Sequence, residues 1–170
     1  MTLKKGLLST AGFVAVALVS MPAWAVETSS KEVTVRATVN VRAKLVLGVN
    51  AISFPDADAS TTPTVAANEN GSISVTTWVR SPRGSSANLS VVASDDLRSG
   101  EDTIAVQNVS WTASGDPEYQ SGALSKSAQT VATFARSGRY DANYMFSMQN
   151  SAAYNPGAYA TQVTYTLTVP

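Results

Sequence analysis

Apolar and polar residues alternate with a period of two along most of the chain beyond residue 30. The first run sets Val33, Val35, Ala37, Val39 and Val41 against Thr34, Arg36, Thr38 and Asn40. A second run spans Ala43 to Val49 and leads through Asn50 to Ile52 and Phe54, where Pro55 ends it. Ile73, Val75 and Trp78–Val79 mark the next strand, and Leu89, Val91 and Val92 the one after it. Between these two, Ser81 to Ser86 carries Pro82 and Gly84, the turn chemistry of a hairpin loop. Further strands are expected over Ile104–Trp111, Thr130–Phe134 and Tyr140–Met148, with loops at 56–70 and 95–102. The final run puts Tyr159, Thr161, Val163, Tyr165, Leu167 and Val169 on one face. Ala160, Gln162, Thr164, Thr166 and Thr168 occupy the other. No long segment of this region spaces its apolar residues helically, and Val and Thr dominate the alternating runs. About eight short strands separated by turns predict an all-β sandwich.

The first residues follow a different pattern. Lys4 and Lys5 precede a mostly apolar stretch from Gly6 to Val19, Pro22 breaks it, and Ala23-Trp24-Ala25 supplies small residues at the end. This order predicts an export signal over residues 1–25, with cleavage after Ala25 and Val26 as the new N-terminus. The apolar stretch is short for a membrane span, which needs about 20 residues. Residues 26–170 then suit a single domain.

Charge and composition narrow the chemistry. Without Lys4 and Lys5, the 12 basic residues drop to two fewer than the 12 acidic ones. The sequence offers no basic patch to attract nucleic acid or an anionic membrane, so no nucleic-acid partner is expected. The chain has no Cys, so disulfides cannot staple an exported form of it. It also has no His, which removes the Ser–His triad, just as the lack of Cys removes the thiolate nucleophile. No phosphate-binding loop or nucleophile elbow is present, and nothing sets a carboxylate pair across a cleft. Neither an enzyme nor a cofactor is expected. Asp56-Ala57-Asp58-Ala59-Ser60 has oxygens at alternate positions, but Thr61 and Ala67 stand where a calcium loop needs Gly and Glu. Trp78, Trp111, Phe134, Tyr144 and Phe146 are expected in the core. Tyr119, Tyr140 and Tyr154 lie nearer turns and are the candidates for an exposed binding surface.

The two ends carry a family resemblance. Val26-Glu27 followed by Val33-Thr34-Val35-Arg36-Ala37-Thr38-Val39-Asn40 resembles the N-terminal donor strand of chaperone–usher pilins. Gly157 stands fourteenth from the C-terminus, where pilins commonly place a glycine. The run Tyr159–Val163–Tyr165–Leu167–Val169 is similar to the strand that their chaperone contacts. The chain is most similar to the major subunits of the alternate, colonisation-factor type found on enterotoxigenic bacteria, which the lack of cysteine also fits. It departs from many pilins at Val169, where they carry an aromatic; Tyr165 and Tyr159 are the nearest substitutes.

The resemblance implies an immunoglobulin-like sandwich that lacks its last strand and is completed by a donor strand. Residues 26–41 would be the N-terminal extension and residues 42–170 the pilin domain. The partners implied are other copies of the chain in a fibre, a periplasmic chaperone and an outer-membrane usher. A host or surface receptor would be a further partner. The location implied is export through the periplasm to a cell-surface fimbrium. Val33, Val35, Ala37, Val39 and Val41 would be the inserted row. Gly157, Tyr159, Val163, Tyr165, Leu167 and Val169 would border the groove. Periodicity leaves open whether the N-terminal run pairs within its own subunit or with a neighbour. The alternative function is a self-contained secreted sandwich that binds a carbohydrate or a protein.

Overall fold

The computed structural model describes residues 31–68 and 72–170. The export signal expected over residues 1–25 lies outside them. The chain divides into two units, Met1–Ala37 and Thr38–Pro170. Residues 31–37 of the first unit form no strand, and their side chains are exposed.

The second unit is all-β, with no α-helix among the described residues. Its strands are β1 (Arg42–Leu47), β2 (Thr64–Ala66), β3 (Ile73–Arg80), β4 (Ala87–Ala93), β5 (Leu97–Ser99) and β6 (Asp102–Ile104). They continue as β7 (Val109–Gly115), β8 (Gly122–Ala123), β9 (Gln129–Phe134), β10 (Gly138–Gln149) and β11 (Val163–Thr168). One antiparallel sheet runs β1-β3-β10-β7-β8, with β2 added to the end of β10; a second runs β11-β4-β9, and β5 and β6 form a separate hairpin.

Alternation explains most of this. In β3, Ile73, Val75, Thr77 and Val79 point into the core, and in β4 Ala87, Leu89, Val91 and Ala93 do the same from the facing sheet. Ala142, Tyr144 and Phe146 form the inner row of β10. In β9 the period breaks, because the neighbours Val131 and Ala132 are both buried. A bulge resolves it: Leu89 pairs with Ala132 and Ser90 with Thr130, leaving Val131 as the extra residue.

Aromatic rings join the two sheets. Tyr119 lies 5.5 Å from Phe134 and 6.1 Å from Tyr144, both edge-on, and Phe134 of the second sheet sits 4.6 Å from Tyr140 of the first. Such pairs each add about 0.5–1.5 kcal/mol beyond the area they bury. Thr77 is the one fully buried polar side chain among the described residues, and its hydroxyl lies 2.9 Å from the Tyr119 hydroxyl. Tyr119 in turn donates to the Tyr140 carbonyl at 3.2 Å.

Several sequence expectations are corrected. Residues 33–41 are not in a strand; the first one begins at Arg42. Ser81–Ser86 does not close a hairpin, since β3 and β4 lie in different sheets and the segment carries the chain from one to the other. The expected loop at 56–70 contains β2, held because Val65 is buried beside the Met148 end of β10. The expected loop at 95–102 folds into most of the β5–β6 hairpin, which buries Leu97 and Ile104 as a cross-strand pair. The Ile104–Trp111 strand is broken by a 3-10 turn at Val106–Asn108, where Asp96 Oδ1 accepts the Val106 N–H at 3.0 Å. The final strand covers Val163–Thr168 only; Ala160 instead bridges to Arg98.

The connectivity is consistent with the immunoglobulin-like sandwich expected from the sequence. With β1, β3, β4, β7, β10 and β11 taken as A to F, the first sheet reads A-B-E-D and the second begins F-C. In that arrangement a seventh strand, G, lies beyond F. No described residue pairs with β11 on that side.

Candidate functional site

The vacant G position is bordered by two edge strands. Among the described residues β1 is hydrogen-bonded only to β3, and β11 only to β4, so each leaves one row of backbone N–H and C=O groups without a strand partner there. An edge of this kind is a template for another strand. β11 (VTYTLT) carries no charge and no proline to discourage pairing.

The side chains along the seam agree with the backbone. The inward rows of β3 and β4 are fully buried, but here they are only half-covered. On one wall these are Leu45, Leu47, Val49, Ile52 and Phe54; on the other they are Val163, Tyr165, Leu167 and Val169. Strand alternation aims Leu45, Leu47, Val163, Tyr165 and Leu167 at the core, Val49, Ile52, Phe54 and Val169 pack against it from the flanking segments, and no layer of the described residues closes over them.

Between the walls runs an open cleft of about 1260 Å³, larger than the usual small-molecule pocket of roughly 300–1,000 Å³. Ile73, Val75, Val109, Tyr144 and Phe146 contribute to its lining from the first sheet, and Leu124 from the residue after β8. The loops at its mouth are pinned by polar side chains. Asn150 Nδ2 donates to the carbonyls of Ala57 and Thr62 at 2.8 and 3.1 Å. Asn155 Nδ2 donates to Asp102 Oδ1 at 2.7 Å, and Tyr159 donates to the Asn155 carbonyl at 2.9 Å.

Two tyrosines give the cleft its electrostatic character. Tyr144 is 1% exposed, and its hydroxyl is buried without a hydrogen-bond partner among the described residues. Burial drives that hydroxyl far above the usual phenol range. Burial also pushes Tyr165 up to about 12. Both stay neutral at physiological pH, so the floor of the cleft carries no charge; Asp56 and Asp58, in the loop at its mouth, are the charged residues of its lining. Among the described residues no three His, Cys, Asp or Glu side chains cluster as metal ligands would.

The structure brings together most of the expected groove residues. Val163, Tyr165 and Leu167 form the inner row of β11, and Val169 continues it. Tyr159 and Gly157 fall outside the strand but line the cleft together with Val163 and Tyr165, whereas Leu167 and Val169 lie beyond its lining. Gly157 has no positive φ. It is required by close approach instead, since a Cβ there would collide with Ser99 Oγ and lie 2.9 Å from Ser99 Cβ. The opposite wall, Leu45 to Phe54, and the Tyr144 hydroxyl were not anticipated as site residues. The alternation of Leu45, Leu47 and Val49 marked an amphipathic strand, but nothing in it distinguished a covered face from an open one.

The expected donor row remains unpaired. Val33, Val35, Val39 and Val41 are 84%, 88%, 70% and 52% exposed, far above what such side chains show inside a sheet. Ala37 lies among them, also exposed.

The exposed-tyrosine surface is corrected. Tyr119 is buried, Tyr140 donates to the Arg136 carbonyl, and Tyr154 accepts from Asn108 Nδ2 at 2.8 Å. Trp78 is corrected too: it lies half-buried on the outer face of β3, not in the core. The expectation that the sequence offers no basic patch also needs revision. Strand register gathers Arg42, Lys44, Arg80 and Arg139 around Trp78. A scan against protein-family models finds no match for the chain, and neither does a search of curated proteins.

Proposed function

We propose that the chain is a structural subunit of a surface fibre, a pilin of the chaperone–usher kind, whose cleft is filled by residues 33–41 of a second copy. The observation that carries this reading is the pairing of a vacancy with a matching segment. An open apolar cleft lies between two unpaired strand edges, and the same chain carries an alternating, exposed valine row.

The physical logic is strand addition. Main-chain hydrogen bonds to β1 and β11 give affinity, and alternate side chains entering the cleft give register. Val33, Val35, Ala37, Val39 and Val41 are the inserted row, and Thr34, Arg36, Thr38 and Asn40 face solvent. Each buried valine contributes up to about 1.5–3 kcal/mol. In this reading a periplasmic chaperone covers the cleft before assembly, an outer-membrane usher orders the exchange, and the fibre supports adhesion or biofilm formation. The partners are other copies of the chain, and export precedes assembly.

The test uses Val39→Asp in the chain beginning at Val26. Burying an unpaired carboxylate while losing a buried valine removes at least about 3 kcal/mol, or more than roughly 100-fold in affinity. The parent should form ladders of oligomers and the variant should stay monomeric. A peptide of residues 33–41 should then raise the variant's melting temperature, whereas the same peptide carrying Asp at position 39 should not. Oligomerisation unaffected by the substitution, or a variant indifferent to the wild-type peptide, would sink the proposal.

A further inference from the structure

The outer face of the first sheet carries a feature unrelated to the cleft. Along β1, β3 and β10 the residues alternating onto this face near one end are Arg42 and Lys44, Trp78 and Arg80, and Arg139. Register places them side by side: Arg42 opposite Arg80, and Lys44 and Arg139 on either side of Trp78. Lys44 Nζ lies 4.5 Å and the Arg139 guanidinium carbon 5.5 Å from the centre of the Trp78 ring. A shallow hollow of about 570 Å³ opens beside them, lined also by Ser137 and Gly138.

The charge balance of this patch is lopsided. Asp141 is the one acid among the residues of β1, β3 and β10 that alternate onto this face, and it is engaged by Arg139 at 2.9 Å. Hydrogen bonds from Thr76 and Arg139 hold its carboxyl below the usual range, so it stays ionised and neutralises Arg139. Arg42, Lys44 and Arg80 make no ion pair among the described residues. Like charges directly opposite in an antiparallel pair are unfavourable, and here Arg42 faces Arg80 with nothing to offset the repulsion. Meanwhile the indole restricts the positions of Lys44 and Arg139 through cation–π contact. The result is three cations without a counter-charge, Arg42, Lys44 and Arg80, of which Lys44 is held against the indole.

We infer that this face, centred on Arg42, Lys44, Trp78 and Arg80, binds an anionic polysaccharide, sulfated or carboxylated. Arginine forks donate to such groups bidentately, and lysine binds them as a point charge. Thr76 lies next to Trp78 on the same face, and Ser74 and Asn143 lie one row further along it, where a linear chain crossing the sheet would meet them with its hydroxyls. The surface is a flat sheet, suited to a linear chain, and offers no helix or projecting ribbon for a DNA groove. The cations lie against the Trp78 ring, so no free aromatic platform remains for stacked bases. Val46 and Met145 are exposed on this face, but Thr76 and Asp141 separate them, leaving no continuous apolar strip to enter a bilayer.

The site is independent of the fibre proposal and is tested separately. Binding of the purified chain to dextran sulfate, polygalacturonate and neutral dextran is measured by calorimetry at several salt concentrations. The two anionic polymers should bind with affinity that falls as salt rises, and neutral dextran should not bind. Arg42→Gln/Arg80→Gln should weaken binding at least about 10-fold. Arg98→Gln/Lys126→Gln, which removes the same charge elsewhere, should change it less than about 2-fold. Trp78→Leu should weaken it several-fold with no change in charge. Three results would overturn the inference: no binding to either anionic polymer at low salt, equal losses in the two double variants, or tighter binding to duplex DNA or phosphatidylserine vesicles.

Discussion

The Tyr144 and Tyr119 hydroxyls allow a test in which one chemical change should have opposite effects at neighbouring sites. Both rings are buried, and they touch edge-on at 6.1 Å. The Tyr119 hydroxyl is shared between Thr77 at 2.9 Å and the Tyr140 carbonyl at 3.2 Å, whereas the Tyr144 hydroxyl has no partner. A buried hydroxyl without a hydrogen bond costs about 1–3 kcal/mol, because folding strips its water and returns nothing. Tyr144→Phe keeps the ring and removes that cost, so it should stabilise the domain by about 1–2 kcal/mol. Tyr119→Phe instead loses a bond worth about 0.5–1.5 kcal/mol and leaves the Thr77 hydroxyl, itself fully buried, without it. The expected loss is about 2 kcal/mol. At roughly 4 °C per kcal/mol for a domain of this size, the two variants should melt some 12–16 °C apart on opposite sides of the parent. Scanning calorimetry on the chain beginning at Val26 measures this, with urea unfolding as a second probe. A Tyr144→Phe variant no more stable than the parent would refute the reasoning, as would a harmless Tyr119→Phe.

Two other predictions concern the backbone and pH. Gly115 has φ +116, and a Cβ there would lie 2.5 Å from the Asp141 carbonyl oxygen and 2.9 Å from Ala142 Cα. Gly115→Ala should therefore cost about 3 kcal/mol or more, while Gly84→Ala, at φ +83 with nothing within 4 Å, should cost only about 1 kcal/mol; thermal melts compare them. Tyr119 and Tyr165 are each raised from 10.0 to about 12 in the folded chain, chiefly by burial. Their stabilising contribution is complete below pH 10 and is lost as pH rises from about 10 to 12, where the unfolded chain ionises first. The melting temperature should be insensitive to these groups from pH 7 to 9 and fall above 10, and Tyr165→Phe should reduce the fall.

Much of this was legible along the chain, because strand patterning is a local property. The inward rows of β3, β4, β10 and β11 could be read from alternation, which follows from successive side chains pointing to opposite faces. Alternation does not tell which strands pair. Ser81–Ser86 has hairpin chemistry yet spans two sheets, and short pieces such as β2 and β5 are strands only because Val65 and Leu97 reach a core assembled elsewhere. Trp78 sits in a strand of apolar character but on its outward phase, so its placement depended on which face the core would take.

The amino-acid sequence on its own determined the class, since period-two patterning without helical spacing can bury a face only in packed sheets. It also determined what chemistry is unavailable, because a chain without Cys or His lacks those groups in any fold. Only the tertiary structure decided where the sandwich is open. Half-burial of Leu47 or Tyr165 depends on whether a strand covers it, and coverage is a relation between distant segments. The same holds for the cations around Trp78: β1, β3 and β10 contribute residues scattered from Arg42 to Arg139, which become neighbours only through strand register. Opposing charges balance over the chain as a whole, but electrostatic interactions act over a few ångströms, and those distances are set by the fold.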